Sequence, residues 1–409
     1  MLNRRILRVK AMQSIYAFKQ AKRSNYYVAQ DYIKERFLPD LNSMEFQDKE
    51  QLKKDKSLAL EVFEESYVSK TIPNTFTIST EVEQAVKDAI THYFQLVDKD
   101  LKHFGKMMLF EAEQIYNRYI SIFGLLIALA RKVEQEKERK LLNPNTVKKE
   151  ADYRLADNQL IQLLSNTKSI QEAITRTGYH WHDEDDIIKQ LHREIKTDET
   201  YLAYLKEKGG NFTQEKAIVD HILRTYVFKK NVETTIQDEQ GNFESKEEIP
   251  FMYAFFEDKD LNWTENREIV KSMVLKTIKN ITEIEEEQVQ LVDLSPDWET
   301  DKAFFVDLYY QTLYNEEEYE QLISEKTKNW KADRLALVDK VILEMAMTEI
   351  IHCHSIPVKV SINEYIELSK KYSTPKSKQF VNGLLDVIAN DLVKKGKVKK
   401  SGRGLIDNK

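Results

Sequence analysis

Two clusters of side chains, one near each end of the chain, have the chemistry to bind phosphate. Near the start, Arg4, Arg5 and Arg8 fall on one arc of a predicted helix, because successive residues advance by about 100°. Near the other end, Thr374-Pro375 predicts a helix start, whose unpaired N–H groups and partial positive charge favour phosphate. Lys376 and Lys378 lie at this start, and Phe380 lies one turn deeper.

Arginine side chains, helix-start amides and an aromatic ring together suit single-stranded RNA. Arginine pairs with phosphate, and exposed bases stack on aromatic rings. Two plainer interpretations remain open at this point. Phe380 could pack in the core, and the three arginines could form an ordinary solvated face.

The elements that position these residues are predicted to be helices. Residues 2–23 read as one helix, with Lys19, Lys22 and Arg23 on the same arc as the three arginines. A different side of this helix is suited to a core, and it carries Leu2, Ile6, Val9 and Tyr16. Met12 and Ile15 interrupt the basic arc, so the predicted amphipathicity is imperfect.

The last quarter of the chain predicts three more helices. Residues 332–352 carry an apolar stripe that includes Val341 and Met345, and Glu349 falls on it, so the apolar face should thin there. The next helix is predicted to begin at Ser361, because Ser361 and Glu364 have the spacing of a capping box. The last helix should bury a side formed by Phe380, Leu384, Leu385, Val387 and Ile388.

Composition indicates a helical protein with charged ends. The 409 residues include only 10 Gly and 7 Pro, well below average usage, which leaves few turns for a strand-rich fold. The net charge is −6, yet residues 1–23 hold seven Lys and Arg and no acid. Residues 391–409 hold seven Lys and Arg against two acids, so the segment between the ends carries the acidic excess. Basic ends can supply a local phosphate-binding field, although a basic tail can also be merely solubilising.

The middle of the chain predicts helices without a recognisable site. Residues 81–140 have helical periodicity throughout, while 24–80 are poorly patterned and 232–250 could form a small hairpin or an exposed loop. IFGLLIALA at 122–130 is too short to cross a bilayer. One cysteine excludes an internal disulfide, and we expect a cytoplasmic protein without a membrane partner.

Signatures of catalysis are missing from the sequence. It contains no glycine-rich phosphate loop and no HExxH, CxxC or GxSxG motif. The densest metal-capable segment is 180–184, with His192 beyond it, but its spacing does not predict a zinc site. His352 and His354 would point apart on a helix. We therefore expect neither an enzyme, a metal nor a cofactor.

Several short motifs resemble the NusB family of transcription antitermination factors. Arg4-Arg5-x-x-Arg8 and Ala11-x-Gln13-x-x-Tyr16 are similar to that family's opening. Further on, Asp339-Lys340-x-x-Leu343, then PxKVxINE at 357–364 and FVNGxLD at 380–386, follow its pattern in order. The resemblance covers about 1–24 and 297–395.

The resemblance implies an all-α fold, in which a discontinuous helical bundle is built from both chain ends and holds a large helical insertion. The NusB-like RNA-binding domain would comprise 1–24 and 297–395, the insertion 25–296, and a basic flexible tail 396–409. The family pairs with the ribosomal protein NusE, binds boxA RNA of ribosomal RNA leaders and helps RNA polymerase read through terminators. The resemblance implies the same partners for this chain.

The implied contact residues carry over position by position. Arg4, Arg5 and Arg8 match the first RNA-contacting element, and the turn 376–379 with Phe380 matches the second. Asp339 is a candidate for the protein-partner side. Two positions depart from the pattern: Ile6 stands where a third consecutive arginine is common, and Lys376 replaces an acidic residue, which puts RNA preference in doubt.

Two other functions remain open from the sequence. The acidic helical insertion could make the chain a scaffold that docks ribosomal or polymerase proteins. Alternatively, the RNA-binding module could be linked to ribosomal RNA modification, against which the lack of a glycine-rich cofactor loop counts heavily.

Overall fold

The computed structural model is helical almost throughout. It describes residues 1–42, 44, 46–142, 150–207, 210–237, 243–282, 284–285, 287, 289–327 and 335–408. Among them the exception is an antiparallel hairpin, in which β1 (Val232–Gln237) pairs with β2 (Phe243–Glu248). The prediction of an all-α fold is confirmed apart from this hairpin, which was one of the two forms expected for 232–250.

Helices of very different lengths build the described part of the chain. In chain order they are α1 Arg4–Arg36, α2 Lys49–Ser66, α3 Thr80–Leu141, α4 Gln159–Asn166, α5 Lys168–Thr177, α6 Asp185–Ile195, α7 Glu199–Lys206, α8 Phe212–Ile222, α9 Phe251–Lys259, α10 Trp263–Asn280, α11 Trp298–Tyr314, α12 Glu316–Lys326, α13 Leu337–His352, α14 Val358–Tyr372 and α15 Pro375–Lys394. A π-helical turn, Leu223–Val227, follows α8, and short 3-10 segments lie at Glu150–Asp157, Trp181–Glu184 and Gly402–Asn408. Residues 81–140 were expected to form either one long helix or two with a bend, and the structure has the single helix α3.

The chain forms two compact units. The terminal unit comprises Asn3–Phe110 and Glu299–Lys409, and the central unit comprises Met1–Leu2 and Glu111–Trp298. Residues 25–110 therefore belong to the same compact unit as 3–24 and 299–409, whereas the sequence placed them in the insertion. The functional division into binding domain and insertion stays a prediction.

The first helix is longer than the sequence predicted. Asn3 begins it by accepting a hydrogen bond from the Ile6 N–H (3.0 Å), and it continues to Arg36. The extension is stabilised by packing, because Ala29 and Ile33 join a buried cluster with α2 and the first part of α3. That cluster explains why the poorly patterned residues after 23 are helical, since tertiary burial overrides a weak local pattern.

The residues that α1 buries are not those of the side predicted to face the core. Arg8 and Lys19, expected on a solvated arc, are 4% and 7% exposed, while Tyr16, expected in the core, is 39% exposed. The predicted arc was wrong for these residues because both cations face buried carboxylates of α13.

Two of the predicted helix starts had different outcomes. The capping box at Ser361 is wrong: α14 begins after Pro357, and the Ser361 hydroxyl lies inside the helix, donating to Glu349 (2.8 Å). The start at Thr374 is confirmed, with Pro375 in the first turn and the Thr374 side chain accepting from the Ser377 N–H. Within α15, Val387 was wrongly assigned to the buried side, because it is 52% exposed.

The C-terminal residues make defined contacts where a flexible tail was predicted. The Ser401 N–H donates to the His354 carbonyl (3.0 Å), and the Lys400 ammonium donates to the Cys353 carbonyl (2.9 Å). These bonds hold the two residues against the chain just beyond the end of α13, while the flexibility of 396–409 as a whole stays a prediction.

The core of the central unit surrounds the second part of α3. The Tyr119 hydroxyl lies 2.6 Å from the Thr277 hydroxyl and accepts from the Val292 N–H (3.0 Å), which ties α3 to α10 and the segment after it. In the described part of the chain, no helix has both the length and the apolar content required to cross a membrane.

Candidate nucleic-acid interface

Arg8 is held in a buried network between α1, α13 and α14. Its Nε and Nη2 donate to the two carboxylate oxygens of Glu349 at 2.7 and 2.8 Å. Glu349 is fully buried and also accepts from the Ser361 hydroxyl (2.8 Å) and the Tyr365 hydroxyl (3.1 Å). Four donors therefore satisfy this carboxylate, as a buried charge requires.

The electrostatics of this network keep Arg8 charged. Burial by itself lowers the pKa of the Arg8 guanidinium, but the hydrogen bonds and charge of Glu349 more than offset this and raise it. Burial, together with the Glu349 charge, also raises the pKa of Tyr365 well above its ordinary value, so its hydroxyl remains a donor. Arg8 could reach a phosphate only by leaving Glu349 without its cation, so it is a structural tie rather than an exposed contact.

The other two arginines are more accessible, to different degrees. Arg4 donates to Asp301 (2.9 Å) and lies over the Phe304 ring at 5.0 Å, with 31% of its side chain exposed. Arg5 makes a two-bond pair with Glu364 (2.9 and 2.7 Å) and leaves 59% of its side chain exposed. Arg5 is the arginine of the three that solvent reaches most freely.

The start of α15 presents the second predicted element. Lys378 and Gln379 are exposed, Ser377 and Phe380 are partly exposed, and the Ser377 hydroxyl bonds to Thr374 (2.9 Å). The side chain of Lys376 lies outside the described part of the chain. Phe380 is therefore neither a buried core residue nor a fully exposed ring.

Both predicted elements lie against α14, because Arg5 pairs with Glu364 on this helix and α15 packs against it. A hydrogen bond from Lys370 is the main cause that lowers the pKa of Glu367, and the charges of Arg5 and Lys378 contribute to the same shift. We call the surface formed by Arg5, Glu364, Glu367, Lys370 and Lys378 the α14 surface.

Asp339, the candidate for a protein contact, is buried in this structure. Only 2% of the residue is exposed, and its Oδ1 has no hydrogen-bond partner among the described residues. A docking protein could not reach this carboxylate without movement of α13.

Sequence reasoning missed the acidic partners of the basic helix. Lys19 bonds to Glu316 (2.6 Å) and Glu344 (2.7 Å), and Glu344, like Glu349, is a fully buried carboxylate on α13. The signal was present, because a carboxylate on an apolar stripe needs a buried cation or donor.

One group of carboxylates in the described residues could in principle hold a metal ion. The group consists of Glu316, Glu320 and Glu344. Lysines already pair with all three: Lys19 and Lys22 bind Glu316, Lys19 binds Glu344, and Lys340 binds Glu320. The arrangement is therefore an ion-pair network, and the described residues at 180–184 form no comparable group.

Comparison with known proteins identifies the family. A family model described as the NusB family matches residues 264–390. A transcription antitermination protein NusB from Bacillus licheniformis is 42% identical over 113 residues, which is 88% of its length and 26% of this chain. The chain belongs to the NusB family.

Two other NusB proteins show how much of the chain this covers. The protein from Salinibacter ruber is 43% identical over 105 residues, and the one from Chloroherpeton thalassium is 41% identical over 106 residues. Each match covers 26% of this chain, and the chain spans 66% and 50% of the lengths of these two relatives. No solved structure matches the chain. The NusB match begins at 264, before the start at 297 that the motifs indicated, and it does not include α1.

Proposed function

We propose that this NusB-family chain is a non-catalytic RNA-binding factor in transcription antitermination. Its ligand would be single-stranded boxA-type RNA of ribosomal RNA leaders. Its protein partners would be the ribosomal protein NusE and the antitermination complex of RNA polymerase in the cytoplasm. The observation that carries the proposal is the α14 surface, where an exposed arginine and a helix that begins with lysine both pack against α14.

In this proposal the residues of the two elements would contact different parts of the RNA. Arg5 and Lys378 would bind phosphates, while the N–H groups at the start of α15, with Ser377 and Gln379, would hydrogen-bond the strand. The partly exposed Phe380 would supply a ring for a base. Lys376 remains a proposed contact on the resemblance to the family.

Arg4 and Arg8 have a different role from Arg5 in this proposal. Both are paired with carboxylates of the terminal unit, so their main effect is to hold α1 against its neighbours and thereby position Arg5. Arg4, with part of its side chain exposed, could add a phosphate contact at the edge of the surface.

The pair between Arg5 and Glu364 is compatible with RNA binding. An exposed ion pair contributes only about 0–1 kcal/mol, so a phosphate can replace Glu364 at low cost. When the phosphate takes the arginine, Glu364 retains Arg8, whose Nη1 lies 3.6 Å away. The buried Arg8–Glu349 pair need not change.

The test is RNA affinity as a function of salt. A fluorescein-labelled boxA-type oligonucleotide would be titrated with the protein, with Arg5→Gln/Lys378→Gln, and with Lys54→Gln as an exposed control on α2. For single strands each lost phosphate contact reduces the slope of log affinity against log salt by about 0.7, so the double variant should lose about 1.4. An unchanged slope and affinity in the double variant would refute the assignment of this surface.

The scaffold function has one observation in its favour. Between α1 and α2 the chain exposes several large apolar side chains, with Leu41, Met44 and Phe46 each more than 90% exposed. Exposed apolar groups so close together are typical of protein docking sites. Replacing these three with serine should abolish capture of purified NusE or RNA polymerase if this function is the main one, and should leave RNA affinity unchanged.

A further inference from the structure

The central unit contains a cavity of about 680 Å³ that the proposed function does not use. One wall is a single face of α3, formed by Gly124, Ala128, Arg131, Gln135 and Arg139. The opposite wall comes from α5 and the segment that leads into α6. The volume lies in the range of about 300–1,000 Å³ that small-molecule sites occupy.

Part of the wall is aromatic and held rigidly. The Trp181 indole N–H donates to the Ser121 carbonyl (2.7 Å), and Tyr179 contacts this indole edge-on at 5.2 Å. Gly124 lets the indole pack against α3, because a Cβ there would lie 3.1 Å from Trp181 Cδ1. Two exposed imidazoles, His180 and His182, stand beside it with ring centroids 5.5 Å apart. These rings offer stacking partners for a planar group.

The charge of the lining is positive. Arg131 and Arg139 are exposed, and neither forms an ion pair with any residue that the structure describes. Lys132 is offset by Asp185 (2.7 Å), and hydrogen bonds from Lys132 and Lys189 lower the pKa of Asp185 to about 2, so the carboxylate is ionised at neutral pH. The two arginines therefore supply the unbalanced charge, in a chain whose net charge is negative.

The spacing of the two arginines selects among anions. Eight residues on an α-helix rise about 12 Å along the axis, so the two guanidinium groups suit a ligand with more than one anionic centre. Arginine binds phosphate oxygens in a planar, two-bond geometry. Gln171 and Thr175 add neutral polar side chains to the lining; the Gln171 amide N–H donates to the Ser165 carbonyl and the Thr175 hydroxyl to the Gln171 carbonyl, which leaves their oxygens as acceptors.

We propose that this cavity binds a nucleotide, with the base against the Tyr179–His182 rings and the phosphates on Arg131 and Arg139. The site is separate from the α14 surface and does not rest on the function proposed above. Two sources share this chemistry, namely a free nucleoside triphosphate and a nucleotide within a strand of RNA.

Calorimetric titration of the full chain tests the proposal with three probes. The probes are ATP, inorganic tripolyphosphate, and a decamer of uridylate titrated in the Arg5→Gln/Lys378→Gln background, which removes the α14 surface from the measurement. The cavity variant is Arg131→Gln/Arg139→Gln, and Arg193→Gln, an exposed arginine on α6 outside the lining, is the matched control.

The expected result has two parts. Loss of both arginines should weaken binding of ATP or of the decamer by about a hundredfold, since one charge-assisted hydrogen-bonding group contributes about tenfold. ATP should bind about tenfold or more tightly than tripolyphosphate if the base stacks. Binding of ATP without the decamer identifies the free nucleotide as the source, and binding of the decamer without ATP identifies RNA.

Three results would overturn the proposal. They are no binding of either nucleotide probe, measurable ATP binding that tripolyphosphate equals in affinity, and nucleotide binding that Arg131→Gln/Arg139→Gln leaves as strong as Arg193→Gln does. Because all three concern only the cavity, they are independent of the outcome of the boxA titration.

Discussion

Replacement of Arg8 by methionine should destabilise the terminal unit strongly. Methionine keeps much of the length and apolar volume of the arginine stem but removes its two hydrogen bonds to Glu349. Ser361 and Tyr365 would remain as donors to that carboxylate. The variant therefore leaves a fully buried carboxylate with two neutral donors and without its nearest cation.

The magnitude follows from the burial of both partners. Arg8 and Glu349 have 4% and 0% of their side chains exposed, so solvent screening is slight. Removing one partner of such a buried pair costs about 3–5 kcal/mol. Arg5, which lies on α1 like Arg8, pairs with Glu364 of α14. Because Arg5 is 59% exposed, Arg5→Met should cost only about 0–1 kcal/mol.

The assay must report on the terminal unit alone, because a chain with two compact units need not unfold in one step. Hydrogen–deuterium exchange of peptides from α1 and α13, measured across a urea series, gives the free energy of opening for these helices. Urea is uncharged and leaves the ion pair unscreened. The double variant Arg8→Met/Glu349→Gln completes a thermodynamic cycle.

The cycle has a definite expected outcome. The double variant should cost less than the sum of the two single variants, because it removes the uncompensated charge that each single variant leaves. A loss for Arg8→Met no larger than that for Arg5→Met would refute the buried pair, and with it the distinction between a structural Arg8 and a contact-making Arg5.

Three further predictions concern stability. Burial, only partly opposed by Lys19, raises the pKa of Glu344 to about 7. Between the ordinary glutamate pKa and 7 the folded state therefore keeps a proton that the unfolded state has released, so stability should fall as pH rises towards 7, by at most about 1.4 kcal/mol per pH unit. Glu344→Gln should flatten this pH dependence in urea titrations. Gly105→Ala should lower the melting temperature, because its Cβ would lie 2.6 Å from the Tyr310 hydroxyl oxygen and 3.1 Å from the buried ring of Tyr309. Overpacking costs about 1–3 kcal/mol, against a gain of about 1 kcal/mol in helix propensity. Thr374→Ala should destabilise α15 by about 1 kcal/mol in exchange measurements, through loss of its N-cap.

Each of these predictions has a control within the chain. Glu344→Gln with an undiminished pH slope would contradict the raised pKa. Gly383→Ala should stabilise α15 by about 0.5–1 kcal/mol, because its Cβ meets nothing within 4 Å, so equal signs for the two glycine variants would contradict the packing argument. Thr374→Ser keeps the capping oxygen, and a loss as large as that of the alanine variant would exclude capping as the cause.

The elements that were predicted correctly depend on local chemistry. The start of α15 is set by Thr374 and Pro375, whose effects act on the backbone of the next turn. The helical state of 81–140 follows from continuous periodicity without proline, while the structure shows one helix of 62 residues rather than two with a bend. Short-range effects of this kind can be read from neighbouring residues. The NusB motifs at the two chain ends can likewise be recognised from short runs of adjacent residues.

The errors arise where distant residues decide the outcome. Ser361 has the spacing of a helix cap, yet it lies inside α14 because its hydroxyl is used by Glu349 on another helix. Residues 24–36 look unpatterned, yet they are helical because α2 and α3 cover them. In both places a tertiary contact outweighs a local preference of about 1 kcal/mol.

The sequence by itself determined that the chain is helical, that its two ends share motifs with the NusB family, and that cations gather on the first helix. It could not distinguish Arg5 from Arg8, which lie on the same arc of that helix. Only the tertiary structure decided that Arg8 meets Glu349, 341 residues away along the chain, and is buried, while Arg5 remains exposed beside Glu364. The physical reason is that helical periodicity gives the direction of a side chain, whereas burial depends on which other helix occupies that direction.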